Sequence, residues 1–147
     1  GTGGDDVHPV MGYNFKYTSQ QAGVGLAQLP LVPQRIQRQR AIQRMYRAQL
    51  GVVEGLTVLP FADDEVPQWT DVLIEDRDRV AAELRKQGMQ SRNFWFPLHT
   101  QEPYRQPDSS FPNATWASPR ALWLPSAFTL TDEDVGDVCA ALRRAMA

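Results

Sequence analysis

Apolar residues change their rhythm twice along the chain. Ala22, Val24, Leu26, Ala27 and Leu29 follow Thr18 at spacings that suit a packed helix, and Thr18 with Gln21 three residues on predicts a capping box at its start. Pro30 and Pro33 interrupt this helix. Pro33 fits the first turn of a second helix, in which Ile36, Ala41, Ile42, Met45, Tyr46 and Leu50 form an interrupted apolar stripe that Gly51 ends. After Gly55 the pattern turns strand-like: Leu56 to Leu59 is short and β-prone, and Trp69 to Ile74 forms a second apolar stretch beyond turn residues Ala62 to Pro67. Asp76 predicts the cap of a third helix carrying Val80, Ala81 and Leu84 on one face, with Gly88 as its left-handed stop. Ser91 to Phe96 then reads as a strand. The segment Pro97 to Pro119 is rich in proline and polar residues and predicts an ordered excursion or lid-like loop rather than regular structure. Ala121 to Leu124 suits a short last strand. Thr131 with Asp134 makes another capping box, and Val135, Val138, Cys139 and Leu142 recur at helical spacing.

These elements predict an α+β lobe. Its strands lie near Leu56, Val72, Asn93 and Trp123, with the helices around Leu84 and Leu142 packed on one side. Two preceding helices are expected to lean away from it. Residues 1–50 are thus set apart from an α+β domain of residues 51–147. The opening Gly1 to Asp6 reads as a loop entered from something else, so an upstream portion is expected.

Charge and composition narrow the classes of function. A net charge of −2 and a pI near 5.6 argue against a protein devoted to nucleic acid or an anionic membrane. Arg35, Arg38, Arg40, Arg44 and Arg47 crowd the second helix with no acid among them, as a polyanion site would, but they also suit the solvated face of a helix bridging two lobes. One cysteine, Cys139, cannot form an internal disulfide, and the two histidines are too far apart for a zinc spacing; a cytoplasmic protein is expected. Cys139 suits a small core position. No run approaches the ~18 apolar residues of a membrane span.

Five segments carry a resemblance. The stretch His8-Pro-Val-Met-Gly-Tyr-Asn-Phe-Lys-Tyr-Thr18, continued by Gln21 to Leu29, resembles a signature of the DegT/StrS-type sugar aminotransferases. Arg35 to Leu50 resembles that family's interlobe helix, with its arginines and a tyrosine near the end. Arg77 to Trp95 is similar to its small-domain helix and following strand, Pro97-Leu-His-Thr-Gln-Glu-Pro-Tyr-Arg105 to its proline-histidine loop, and Leu122 to Val135 to its leucine-proline strand and final helix. The resemblance covers nearly the whole chain in the family's order. The GYNFK and PLHTQ forms look most like perosamine synthases.

The resemblance implies the C-terminal small domain of a fold-type I pyridoxal-phosphate aminotransferase, preceded by two interlobe or large-domain helices. It further implies a homodimer that aminates a nucleotide-linked 4-keto-6-deoxy sugar with an amino acid, usually glutamate, as donor. Such chemistry needs a lysine for the Schiff base and a carboxylate on the pyridine nitrogen. Family members place both upstream of the GYN motif, so this chain is expected to be inactive alone and to hold no cofactor covalently. By the resemblance, Asn14 and Lys16 reach the cofactor phosphate of the dimer mate, Asn14 through its amide and Lys16 as a point charge. Asn14 equally suits a turn before the helix. The resemblance also places Arg92, Trp95 and His99 against the sugar nucleotide, the arginine on the diphosphate and the aromatic on the hexose. Taken alone, Trp95 suits a core and His99 a satisfied loop position. Lys86, near the end of an exposed-looking helix, reads as a solvated cation. A competing function is a stand-alone, non-catalytic module that dimerises with itself or with a full-length homologue.

Overall fold

A computed structural model describes residues 18–62 and 64–147. The opening loop, Asn14 and Lys16 lie outside the described residues. The elements run α1 (Ser19–Gln28), α2 (Val32–Leu50), β1 (Leu56–Val58), β2 (Thr70–Ile74), α3 (Arg77–Lys86), β3 (Arg92–Asn93), α4 (Pro112–Ala117), β4 (Ala121–Leu124) and α5 (Asp132–Met146).

The helix signals act locally, and all but one appear where they were expected. Thr18 and Gln21 form a reciprocal capping box on α1, as Thr131 and Asp134 do on α5, each satisfying N-terminal N–H groups that the helix itself cannot. Pro33 sits in the first turn of α2 and Gly51 follows its last turn. Gly88 adopts φ 77° just after α3, a conformation that strains any residue with a Cβ. Asp76 occupies the residue before α3 but does not cap it: its Oδ2 accepts from Arg79 Nε at 2.8 Å instead.

Four antiparallel strands are ordered β1-β2-β4-β3, so the last strand in sequence lies inside the sheet. Alternation along β2 puts Thr70, Val72 and Ile74 on one face and Asp71 and Leu73 on the other. The first face carries the core, where Val72, Ile74, Leu56, Leu122 and Leu124 pack with residues of α2, α3 and α5. Full burial of such side chains contributes about 1.5–3 kcal/mol each, which explains why three helices gather on this side. Cys139 is a core residue, as expected.

Two further expectations change. The strand over Ser91 to Phe96 shrinks to Arg92–Asn93, with one further bond from Phe94 N to Ala121 O; beyond it the backbone turns so that Phe94 and Trp95 pack on Trp123. Of the two helices expected to lean away, α1 does, with no buried residue, but α2 does not. Ile42, Tyr46 and Leu50 are wholly buried, so the core runs continuously across residue 50. The arginines of α2 are partly spent inside the fold. Arg38 donates to Leu130 O and pairs with Asp132 at 2.6 Å, while Arg40 donates to the carbonyls of Asp64 and Glu65.

Candidate functional site on the open face of the sheet

The face of the sheet turned away from the helices is covered by aromatic rings. Trp123 projects from β4 on this side, 3% exposed, and Trp69, just before β2, stacks on it with centroids 4.3 Å apart. Trp95 meets Trp123 edge-on at 4.6 Å and Trp69 at 5.7 Å, and Phe94 meets Trp123 at 5.4 Å. Edge-on and offset arrangements are those aromatic quadrupoles favour. The guanidinium of Arg92, paired in register with Trp123, lies 5.3 Å from its ring centroid. Two sequence-chosen residues, Arg92 and Trp95, thus converge on a third that sequence reasoning did not select.

Two cavities flank the Phe94 to Pro97 segment and share it as a wall. One, of about 620 Å³, is lined by Arg77, Arg85, Arg92, Asn93, Thr100 and Thr115, with Asp108 as an acidic member. Guanidinium, amide and hydroxyl donors in one concavity suit an anionic oxygen-rich group. The other, of about 560 Å³, is mostly apolar, with Leu59, Leu73, Trp95, Leu98 and Ala117 in its lining.

The segment Pro97 to Pro119, expected to lack regular structure, instead holds short helical turns and the helix α4, whose first turn starts at Pro112. His99 holds it together. Its ring is 5% exposed and stacks on Phe111 at 4.7 Å, while Nε2 lies 3.1 Å from Asp108 Oδ1 and 3.3 Å from Thr115 Oγ1. His99 therefore stands apart from Arg92 and Trp95, packed within the loop.

Asp71 sits opposite Trp123 across the β2–β4 pair. Neither Trp123 Nε1 nor Asp71 Oδ1 makes a hydrogen bond of good geometry. Burial raises the Asp71 carboxyl above its ordinary value, and the neighbouring indole N–H pulls the other way. Because that geometry falls short of a hydrogen bond, burial dominates.

The described residues do not suit a covalently held cofactor. Lys86 Nζ is 2.6 Å from Glu83 Oε1 and its side chain is 70% exposed. No group of three metal-ligating side chains occurs among the described residues, and no described helix is long and apolar enough to cross a membrane.

The lobe thus has helices on one face of its sheet and an aromatic, cationic surface on the other. The chain belongs to the DegT/DnrJ/EryC1/StrS aminotransferase family, whose model it matches over residues 2–143. It is 28% identical over 142 residues to EpsN of Bacillus subtilis strain 168, whose name describes a pyridoxal phosphate-dependent aminotransferase; the match covers 89% of this chain and 36% of EpsN. It is 29% identical over 143 residues to the GDP-perosamine synthase of Vibrio cholerae, covering 90% of this chain and 38% of that protein. Among solved structures, DesI in the presence of its TDP-sugar product is 29% identical with a TM-score of 0.77, over 86% of this chain and 35% of DesI. Streptomyces venezuelae DesV in complex with a ketimine intermediate, 24% identical, shares the fold with a TM-score of 0.81, over 86% of this chain and 36% of DesV. The chain spans a little over a third of the length of these relatives.

Proposed function

We propose that this chain forms the C-terminal small lobe of a pyridoxal-phosphate aminotransferase that aminates a nucleotide-linked 4-keto-6-deoxy sugar in amino-sugar biosynthesis, in the cytoplasm and as a homodimer. In the complete protein, residues 1–50 lead from the large domain into the lobe of residues 51–147, and the second half of α2 already belongs to the lobe's packing. The bound cofactor supplies the electron sink for moving the amino group. This lobe supplies contacts. Arg92 meets the diphosphate and Trp95 the hexose, while His99 serves the substrate by holding together the loop that follows them. Asn14 and Lys16 meet the cofactor phosphate of the other subunit.

The observation that carries this reading is the convergence of Arg92 and Trp95 on Trp123 over the open sheet face. An aromatic platform beside a guanidinium suits a sugar joined to phosphate, since ring faces take apolar C–H surfaces and the planar cation takes phosphate oxygens.

The test is to incubate the complete protein with pyridoxal phosphate, glutamate and either a GDP-linked or a TDP-linked 4-keto-6-deoxyhexose. A 4-amino sugar nucleotide and 2-oxoglutarate should form in equal amounts. Absence of both products with both sugars, from folded protein that binds the cofactor, would reject the assignment.

A further inference from the structure

Arg77 joins the two sides of the sheet. It opens α3 on the helix-covered face, with its side chain 12% exposed. Nη1 donates to Ser118 O at 2.7 Å and reaches Ala121 O at 3.5 Å, while Nε and Nη2 each lie 2.9 Å from Asp78 Oδ1. Ser118 directly follows α4 as its C-terminal cap, and its hydroxyl donates to Trp95 O at 3.2 Å. Asn93 Nδ2, two residues before Trp95, reaches the same Asp78 Oδ1 at 3.4 Å. The links Asp78 to Arg77, Arg77 to Ser118 and Ser118 to Trp95 thus run from the start of α3 to the aromatic surface.

We infer that Arg77 is a positioning residue that, through Ser118, sets where Trp95 stands on the open face. The chemistry requires arginine. Its planar fork presents N–H groups in two directions at once, here to a carboxylate and to a backbone carbonyl at a helix end, whereas an ammonium is a single point charge without that geometry. The helix end needs such a donor, because its last carbonyls have no partner within the helix. Release of Ser118 lets the C-terminal end of α4 shift, and the Trp95 backbone shifts with it. Strand pairing offers little resistance, because the ladder of β3 with β4 ends one residue short of Trp95.

The inference rests on the proposed substrate role of Trp95, and the experiment separates the two. In the complete protein, Arg77→Lys, Ser118→Ala and Trp95→Ala are compared with the parent by two measurements. The first, made without ligand, is the exciton band that the coupled Trp69, Trp95 and Trp123 rings contribute to circular dichroism. The second is kcat and KM for whichever of the GDP- and TDP-linked 4-keto-6-deoxyhexoses the protein accepts. Arg77→Lys and Ser118→Ala should both weaken the band and raise KM roughly three- to tenfold, with kcat within about twofold, as expected for a displaced binding contact. A lowered melting temperature with an unchanged band and unchanged KM in both variants would make Arg77 merely structural and overturn the inference. If Arg77→Lys does not fold, an unchanged band in Ser118→Ala overturns it equally. A weakened band with unaltered KM in both, and in Trp95→Ala as well, upholds the positioning link and removes Trp95 from the substrate site.

Discussion

Tyr46 donates its phenolic hydrogen to the carbonyl of Pro125, 2.8 Å away, across 79 residues of chain. Tyr46 is wholly buried in α2, and Pro125 immediately follows β4, so this bond ties the connecting helix to the inner strand of the sheet. Burial, with the neighbouring Cys139 thiol adding to it, pushes the phenol far above its ordinary value, so Tyr46 remains a neutral donor. Tyr46→Phe should destabilise the fold by about 1–3 kcal/mol, because it leaves a carbonyl without its partner in a packed setting. The midpoint of urea unfolding should fall at unchanged slope.

Cys139 offers a clean probe of the same core. Burial pushes its thiol up to about 11, with Arg143 pulling weakly the other way. Because the thiolate is the reactive form, native protein at pH 8 should resist iodoacetamide, and denaturant should release the block. Mass spectrometry of the peptide containing Cys139 reads the extent of alkylation; rapid labelling of native protein would show that the core described around Cys139 is open.

Asp71→Asn should stabilise the protein at neutral pH. A carboxyl whose folded value lies above its unfolded one disfavours the folded state once ionised, so its cost is present above the folded value and disappears as pH falls below the unfolded one. Thermal melts of both forms should therefore differ at pH 7 and converge in acid below the ordinary carboxylate range. A difference that persists undiminished in acid would assign it to something other than this charge.

Asp134 behaves in the opposite sense. Hydrogen bonds from the Thr131 backbone and then its hydroxyl, both at 2.7 Å, hold its carboxyl below the ordinary value, against a small opposing effect of desolvation. Its contribution to α5 is present above the unfolded value and is lost as pH falls through the folded one. Asp134→Ala should flatten the acid limb of a pH–stability curve and lower stability at neutral pH, measured by helical circular dichroism against denaturant.

The cofactor roles are tested by a matched pair in the complete protein. Asn14→Ala should weaken pyridoxal phosphate roughly ten- to hundredfold if its amide bonds the charged phosphate, with little effect on the melting temperature of the apoprotein. Lys86→Ala should leave the cofactor absorbance unchanged, since its ammonium is already held by Glu83. Loss of melting temperature with constant cofactor affinity in Asn14→Ala would make Asn14 a turn residue.

What the sequence determined by itself was whatever a few neighbouring residues decide. The two capping boxes, Pro33 in the first turn of α2, Gly88 at its positive φ and the apolar stripe of α5 each rest on interactions within about four residues. The family signature was legible for a related reason, since it lies in the order and identity of short segments. Asp76 shows the limit even at short range: Arg79 competed for the carboxylate that would have capped α3. The remainder was decided by contacts between segments distant in sequence. The placement of β4 inside the sheet, the entry of α2 into the core and the burial of His99 against Phe111 depend on which surfaces meet, and hydrophobic periodicity does not name a partner. The candidate site belongs to this second class. Trp69, Trp95 and Trp123 are far apart along the chain, and they share one face because strand register sets Trp123 opposite Asp71 and Arg92, away from the helices.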